Sequence, residues 1–224
     1  MEIIAHVHLI PNVVANPYLI VESNGLALID AGLPGSDKKI LQYINGLGYA
    51  SSDLKWIVIT HSDIDHFGGL SVLKKKSGAS VYASPIEAEA MSKGSSSRQI
   101  IPRNFFPKLL MGVAGRMMKP VPIYADEILS EGQILPLLGG LRVLETPGHT
   151  PGHISLFSPS TRILFTGDSI VSRSGGLVRS IKANTWDETK ADESARKQSA
   201  LGADIVCPGH GPVVMDAADK FPKI

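Results

Sequence analysis

The sequence contains little of what marks a secreted, membrane-bound or nucleic-acid-binding protein. Its single cysteine, Cys207, excludes an internal disulfide framework. The 22 basic and 21 acidic residues leave a formal net charge of +1, so no general electrostatic attraction favours nucleic acid or an anionic membrane. No apolar run approaches the roughly 20 residues that span a bilayer. No lysine or arginine precedes Lys38, so the basic start of a signal peptide is missing. We therefore expect a soluble, cytoplasmic protein with no membrane or nucleic-acid partner, while the composition sets no oligomeric state.

Hydrophobic residues make up 43% of the 224 positions, which is enough for a substantial core. No segment rich in serine, proline and glycine divides the chain, so the sequence predicts one domain over residues 1–224. In the first half, apolar runs alternate with amphipathic stretches in the order strand, helix, strand, helix, strand. That alternation is typical of the α/β class, in which helices pack on sheets.

Apolar periodicity and turn residues locate the individual elements. Residues 2–10 alternate in a way that predicts one strand with His6 and His8 on the same face. Ser36 is expected to cap a helix over residues 36–47. The remaining predicted strands lie at residues 18–22, 26–30, 56–59, 80–83, 133–137, 141–145, 154–158, 163–166 and 204–207, and the remaining predicted helices at 69–76 and 187–201.

The densest group of side chains that can bind metal follows directly after the apolar run 56–59. That run predicts a buried strand. Two imidazoles and two carboxylates stand within six positions there: His61, Asp63, Asp65 and His66. Histidine and aspartate are poor strand and core residues, and burying them without partners costs several kcal/mol. A metal ion, or a pair of ions, is the simplest partner for such a set.

Three later turns repeat the pattern of an apolar strand followed by residues that can bind metal. They hold His149 and His153, then Asp168, then His210. Five of the seven histidines lie in these turns and in the first one, which random placement would rarely produce. Because α/β proteins usually assemble their sites where strands end, these turns are candidate walls of a single site.

Taken together and in this order, the motifs resemble those of the metallo-β-lactamase superfamily. They are His61-Ser62-Asp63-Ile64-Asp65-His66, Thr146-Pro147-Gly148-His149, Thr166-Gly167-Asp168 and Pro208-Gly209-His210-Gly211, preceded by Asp30 after a strand. The resemblance covers nearly the whole chain, residues 6–214. It implies a four-layer αβ/βα sandwich of two mixed β-sheets with outer helices, and a dinuclear metal centre at one edge of the sandwich.

The resemblance also implies a role for each of these polar residues. The residues assigned to the first metal are His61, Asp63 and His149, those assigned to the second are Asp65, His66 and His210, and Asp168 bridges the two. Asp30 matches an aspartate that steadies the ligand loop without touching metal. His153 matches a position that usually supports the ligands in the same indirect way.

One position departs from the family pattern. Where the commonest first motif has a histidine, this chain has Asp63. A carboxylate is a harder ligand than imidazole, so zinc stays the expected metal but iron and manganese become possible. Flavodiiron members of the superfamily resemble this chain in carrying a carboxylate, glutamate, at that place. Two divalent ions are expected, with one ion as the alternative if Asp63 swings out and weakens the first site.

Two such ions imply a mechanism. Partly neutralised by Asp63, Asp65 and Asp168, they would lower the pKa of a bridging water toward neutrality and hold a hydroxide nucleophile. They would also polarise the scissile carbonyl or phosphoryl oxygen. Asp65 and Asp168 are therefore expected to be catalytic as well as metal-binding, and no serine or cysteine nucleophile is needed.

The motif Thr-Pro-Gly-His-Thr-Pro-Gly-His at residues 146–153 looks like the corresponding stretch of hydroxyacylglutathione hydrolases and related lactonases. It implies hydrolysis of a small-molecule thioester or lactone. The chain stops 14 residues after His210, short of the C-terminal helical region with which glyoxalase II enzymes hold glutathione, so glutathione specificity is not expected. The alternatives are an iron-bearing flavodiiron-type oxidoreductase with a separate electron donor, and a phosphodiesterase or nuclease, which the balanced charge disfavours.

Residues 86–125 differ from the rest of the chain because they mix basic residues, prolines and flexible apolar side chains. Such a segment is a candidate lid over a substrate pocket. In that case Phe105, Phe106 and Met111 are the apolar groups expected to contact the substrate. The alternative is an inserted pair of helices that packs on the domain.

Overall fold

The computed structural model describes residues 1–98 and 120–223. The strands are β1 (Glu2–Ile4), β2 (Val7–Leu9), β3 (Tyr18–Glu22), β4 (Gly25–Ile29), β5 (Leu54–Val58), β6 (Ser80–Ala83), β7 (Glu127–Ile128), β8 (Ile134–Leu135), β9 (Leu141–Glu145), β10 (Ile154–Ser158), β11 (Ile163–Gly167), β12 (Ile170–Arg173), β13 (Gly176–Arg179), β14 (Ile205–Pro208) and β15 (Val214–Met215). The α-helices are α1 (Asp37–Gly46), α2 (Ile64–Phe67), α3 (Leu70–Ser77), α4 (Pro85–Ser92) and α5 (Glu188–Ser199). Within the described ranges, no helix is long and apolar enough to cross a membrane.

The strands form two large sheets and one separate hairpin. The first sheet has the order β1–β2–β3–β4–β5–β6–β7, antiparallel from β1 to β4 and parallel from β4 to β7. The second sheet has the order β15–β14–β11–β10–β9–β8, and only its β11–β14 pair is parallel. Strands β12 and β13 pair with each other. Both large sheets are therefore mixed, as the family resemblance implies.

Alternate residues of the central strand β4 face two different hydrophobic layers. Leu26 and Leu28 pack in one cluster with the apolar residues of α1 and α3. Ala27 and Ile29 pack in another cluster with residues of the second sheet. Both faces of the strand are therefore buried, which is why its sequence is a nearly continuous apolar run.

The second sheet is covered in the same way on its two faces. Ile163 and Phe165 of β11 pack toward the first sheet. Leu164, between them, packs in a third cluster with Ala195 of α5. The layers thus run helix, sheet, sheet, helix, and the predicted four-layer αβ/βα sandwich is confirmed.

Two local predictions from the sequence are wrong. The alternation over residues 2–10 does not form one strand, because the chain turns at His6, whose φ is +71°, and β1 pairs with β2 as a hairpin. His6 and His8 therefore do not share a strand face. Ser36 does not cap α1: its backbone is already helical (φ −67°, ψ −21°), and its side chain makes no capping hydrogen bond.

The segment 86–125 is only partly described. Its first part belongs to α4, whose N-cap Ser84 accepts a hydrogen bond from the backbone of Glu87. Phe105, Phe106 and Met111, the predicted lid residues, lie outside the described residues. The lid therefore stays a prediction.

Candidate metal centre

The residues predicted to bind metal meet at one edge of the sandwich, where strands of both sheets end. In the first sheet, Asp30 follows β4 and the run 61–66 follows β5. In the second sheet the corresponding residues are His149 after β9, Asp168 after β11 and His210 after β14. The sheets are joined there, because the N–H of Ile154 donates to the carbonyl of Thr60 at 3.0 Å. Loops that are far apart in the sequence thus reach one centre.

Three of these residues, His61, Asp63 and His149, form a set that we name the first cluster. Oδ2 of Asp63 lies 3.2 Å from Nε2 of His149 and 3.8 Å from Nε2 of His61. All three side chains are buried. Asp63 occupies the N-cap position of α2, yet its side chain makes no capping hydrogen bond. Its carboxylate contacts the histidines instead.

The second cluster consists of Asp65, His66 and His210, with Oδ2 of Asp65 at 3.2 Å from Nε2 of His210. Asp168 lies between the two clusters. Its Oδ1 is 3.4 Å from Nε2 of His66. Its Oδ2 is 3.4 Å from Nε2 of His210 and 3.6 Å from Nε2 of His149. One carboxylate therefore faces histidines of both clusters.

Several buried polar atoms of the centre have no hydrogen-bond partner among the described residues. They include Nε2 of His61, Nε2 of His66 and Oδ1 of Asp168. A buried polar atom without a partner costs about 1–3 kcal/mol, so three of them side by side need another partner. Imidazole nitrogens and carboxylate oxygens bind divalent transition metals. The clusters are therefore able to hold divalent metal ions.

Asp30 orients two histidines of the centre. Its Oδ2 is 2.8 Å from Nδ1 of His66, and since a carboxylate only accepts, Nδ1 carries a proton and Nε2 is the ring nitrogen that faces the centre. Oγ1 of Thr60 donates to Asp30 at 2.8 Å and accepts from Nδ1 of His61 at 3.0 Å. His61 is thereby held in the same tautomer. Asp30 lies in the left-handed region, with φ +60°, which aspartate tolerates better than most residues.

Both ring nitrogens of His153 are used within the protein. Nδ1 is 2.8 Å from Oγ1 of Thr146, and Nε2 accepts a hydrogen bond from the backbone N–H of Asp168 at 3.0 Å. Burial, with a further contribution from His149, lowers the pKa of His153 to about 3. The ring is therefore neutral, and in this arrangement it fixes the loop of Asp168 and offers no lone pair to an ion.

A protein-family model described as the metallo-beta-lactamase superfamily matches this chain over residues 10–210. The chain belongs to the metallo-beta-lactamase superfamily. The matched region contains Asp30, Asp168, His210 and all of both clusters. The resemblance inferred from the motifs is therefore confirmed.

Three curated relatives match this superfamily member over most of its length and most of their own. The protein YobT of Bacillus subtilis (strain 168) is 30% identical over 92% of this chain and 87% of its own. YflN of the same organism, named a probable metallo-hydrolase, is 29% identical over 88% and 81%. GloC of Haemophilus influenzae, named a hydroxyacylglutathione hydrolase, is 28% identical over 89% and 86%.

Solved structures of metallo-beta-lactamases share the fold. A metallo-beta-lactamase family protein from Thermus thermophilus has a TM-score of 0.77 at 22% identity, over 98% of this chain and 78% of that one. A metallo-beta-lactamase with a HARLDQ motif from Cronobacter sakazakii has a TM-score of 0.73 at 26% identity, over 94% and 77%. The first likeness, at its low identity, bears on the fold alone.

Glu87 of α4 links two of the loops around the clusters, and the sequence analysis missed it. Its side chain is fully buried. Oε2 accepts from the N–H and Oγ of Ser62 at 2.8 and 2.6 Å. Oε1 accepts from Oγ1 of Thr150 at 2.6 Å and from the N–H of Gly152 at 3.1 Å. One carboxylate therefore ties the loop after β5 to the loop after β9, and no local pattern marks it because these partners are 25 to 65 residues away.

Asp63 has partners outside its cluster that the sequence analysis also missed. Oγ of Ser96 donates to Oδ1 of Asp63 at 2.6 Å, and Arg98 forms an ion pair with the same carboxylate. Burial would raise the pKa of the Asp63 carboxyl, but the hydrogen bond from His149, the neighbouring charge of His61 and the hydrogen bond from Arg98 hold it well below its usual range. The sequence shows Arg98 only as one of several basic residues in its segment.

The pKa shifts of the centre follow the pairing of carboxylates with histidines. Hydrogen bonds to Asp168 and Asp65 raise the pKa of His210 to about 9. Burial alone would raise the pKa of Asp168, but His66 and His210 outweigh it and hold that pKa well below its usual range. Burial lowers the pKa of His61. The carboxylates therefore stay ionised at neutral pH and supply the negative charge that a divalent cation requires.

The two clusters border a cavity of about 390 Å³, which is open on one side as far as residues 1–98 and 120–223 show. Arg98 lines it on one side, and Arg173 of β12 lines it together with Ile181 and Asn184 from the segment after β13. Cavities of this size hold small molecules. In this superfamily member, the carboxylates and histidines therefore lie where a small substrate can reach them.

Proposed function

We propose that the protein is a metal-dependent hydrolase that acts on a small carbonyl substrate, a thioester or a lactone. The observation that carries the proposal is the position of Asp168 between the two clusters, at the edge of a cavity of small-molecule size. A carboxylate that faces two sets of metal-binding side chains can hold two cations side by side, so that both act on one scissile bond.

We assign one divalent ion to each cluster. The ligands would be His61, Asp63 and His149 for the first ion, Asp65, His66 and His210 for the second, and Asp168 for both. Zinc is the first choice because imidazole and carboxylate both suit it, and the carboxylate of Asp63 makes iron or manganese the next choices. When bound, the ions would acidify a water molecule and polarise the carbonyl oxygen of the substrate.

The carboxylates of the chain would position the reacting water and receive its proton. The side chain of Asp65 is 25% exposed and lines the cavity, so one of its oxygens can take up the proton that an attacking water loses. Asp168 is more deeply buried, and its backbone is fixed on both sides: its N–H donates to His153, and its carbonyl accepts from Oγ of Ser180 at 2.5 Å. Its carboxylate is therefore held in place between the two clusters.

The relatives support hydrolysis as the reaction. One is named a hydroxyacylglutathione hydrolase and another a probable metallo-hydrolase. A thioester and a lactone both present an activated carbonyl that a water-derived nucleophile attacks, and both need the developing oxyanion to be stabilised. The balanced charge of the chain supports a small-molecule substrate over nucleic acid.

The test combines metal analysis with a substrate panel. Protein purified without added metal is analysed for its elements and then assayed, after reconstitution with zinc, on a short acyl thioester, a lactone and a phosphodiester. We expect hydrolysis of the thioester or the lactone and little of the phosphodiester. Two irons per chain without hydrolysis of any of the three would overturn the proposal.

A pair of variants tests the site. Asp168→Ala is expected to lose bound metal and hydrolysis together, because both clusters then lack the carboxylate that they share. Asp219→Ala is the matched control, since it removes a carboxylate that is exposed and belongs to neither cluster. A fully active Asp168→Ala protein would contradict the bridging role.

A further inference from the structure

Arg98 forms an ion pair with Asp63, the residue that stands where the family's commonest first motif has a histidine. Nε of Arg98 donates to Oδ2 of Asp63 at 3.1 Å and lies 3.3 Å from Oδ1, and Nη2 donates to Oδ2 as well. Ser96, two residues earlier, donates to Oδ1. The Arg98 and Asp63 side chains are only 13% and 8% exposed, so this ion pair is largely shielded from solvent. Most of the lone pairs of Asp63 are therefore already engaged.

Within residues 1–98 and 120–223, the other carboxylates of the centre have no lysine or arginine partner. Among the described residues, Asp65 is paired with His210 alone, and no lysine or arginine lies within ion-pair distance of it. Asp168 is likewise paired only with histidines in the part of the chain that the structure describes. The two clusters therefore have similar ligand types but different partners for their carboxylates. Asp63 in the first is paired with a guanidinium that cannot lose its proton, whereas Asp65 in the second is paired, among the described residues, with the imidazole of His210, which gives up its proton when it binds a metal.

We propose that Arg98 makes the two metal sites unequal, so that the second cluster binds a divalent cation tightly and the first binds one weakly. The inference rests on the proposed assignment of one ion to each cluster. A cation among His61, Asp63 and His149 must share the Asp63 carboxylate with Arg98, which cannot lose its proton. It is also repelled by the positive charge of Arg98 across a buried space, where screening is weak.

The geometry of the contact explains why this residue is arginine. The planar guanidinium presents Nε and Nη2 to one carboxylate at the same time, which fixes the carboxylate in orientation as well as neutralising it. An ammonium group would neutralise Asp63 as a point charge without fixing it. Arg98 thus sets the occupancy of the first cluster through Asp63.

Zinc binding by the full chain tests the proposal without any assay of activity. Protein stripped with a chelator is titrated with Zn²⁺ in competition with a chromophoric chelator. We expect one tight step and a second step that is weaker by about tenfold or more, in line with the size of effects from groups that contact metal ligands. In Arg98→Met, which keeps an unbranched, flexible side chain and removes the guanidinium with its charge, we expect the second step to tighten about tenfold while the first is unchanged.

Two further variants separate the contact from the charge. Arg173→Met removes a positive charge from the same cavity but from a residue that does not pair with Asp63 in the described structure, and it should leave both steps unchanged. Arg98→Lys should keep the second step weak, and the thermal unfolding midpoint of each variant shows whether it has folded. Equal steps in the wild-type protein, or a second step that Arg98→Met fails to tighten, would overturn the proposal. If the protein binds both zinc ions equally tightly and hydrolyses a thioester or lactone, only this inference is contradicted. If it binds the two ions unequally and hydrolyses neither substrate, only the proposed function is contradicted.

Discussion

Asp30 and His66 are joined by a hydrogen bond of 2.8 Å in which the carboxylate accepts from Nδ1 of the ring. The bond is fully buried, and Asp30 follows strand β4 whereas His66 lies in helix α2. It fixes the tautomer that leaves Nε2 of His66 able to bind a cation. The orientation of a proposed metal ligand is thus set by a residue that is not itself a proposed ligand.

Asp30→Asn is expected to weaken zinc binding by about 10- to 100-fold, as loss of a carboxylate behind a ligand histidine usually does. Asparagine tolerates the left-handed backbone that this position requires, so the loop should keep its path. Chelator competition measures the affinity, and Asp219→Asn, at an exposed position, is the control. An unchanged affinity would show that Asp30 only shapes the loop.

Glu87→Gln is expected to destabilise the folded protein by about 1–3 kcal/mol, because the amide turns an NH₂ group toward donors that the carboxylate now satisfies. Those donors include the N–H groups of Ser62 and Gly152, which belong to different ligand loops. Urea unfolding measures the loss. The control is Glu89→Gln on the same helix, where the side chain is exposed and pairs with Lys93, and it should change stability little. Equal losses of stability in the two variants would show that the hydrogen bonds of Glu87 to the two ligand loops do not stabilise the fold.

The α/β class and the ligand loops could be predicted because their signals are local, whereas the four-layer sandwich was implied by the family resemblance. Strands such as β4 and β11 are buried on both faces, so they stand out as short apolar runs, and the residue after each run reaches the edge where ligands gather. The parts that could not be predicted depend on contacts across the fold. Glu87 and Arg98 find their partners 25 and 35 residues away. The residues next to Glu87 and Arg98 in the sequence form no pattern that would predict these contacts.

The error over residues 2–10 has a physical reason of a different kind. Alternation indicates which side chains share a face, but it does not show where the chain reverses. The reversal occurs at His6, whose left-handed backbone is uncommon for a residue other than glycine. The hairpin of β12 and β13 escaped prediction because its turn, at Ser174 and Gly175, lies in a run of polar residues with weak strand character.

Two buried groups that do not line the cavity predict how stability changes at high pH. Burial raises the pKa of Tyr18 and of Cys207 well above their usual values. Above about pH 9 the unfolded chain loses these protons and the folded chain keeps them, so stability is full below that pH and falls as the pH rises. Urea unfolding at about pH 8 and about pH 10 should show the decline. Cys207→Ala should make the decline shallower, whereas Tyr124→Phe, at an exposed position, should leave it unchanged.

Gly209 lies against the side chains of Asp168 and His66, so substituting it gives a steric test of the centre. A Cβ atom on Gly209 would contact Oδ1 of Asp168 and lie 2.8 Å from Cε1 of His66. The backbone of Gly209 is not in the left-handed region, so Gly209→Ala changes packing without backbone strain. Displacing these side chains by about 1 Å should lower kcat about 100-fold. The control is Gly46→Ala at the end of α1, where nothing lies within 4 Å of the new methyl group, and it should retain activity. If Gly209→Ala kept full activity and zinc affinity, Asp168 and His66 would have room to move, and the close spacing of the two clusters would not be required for catalysis.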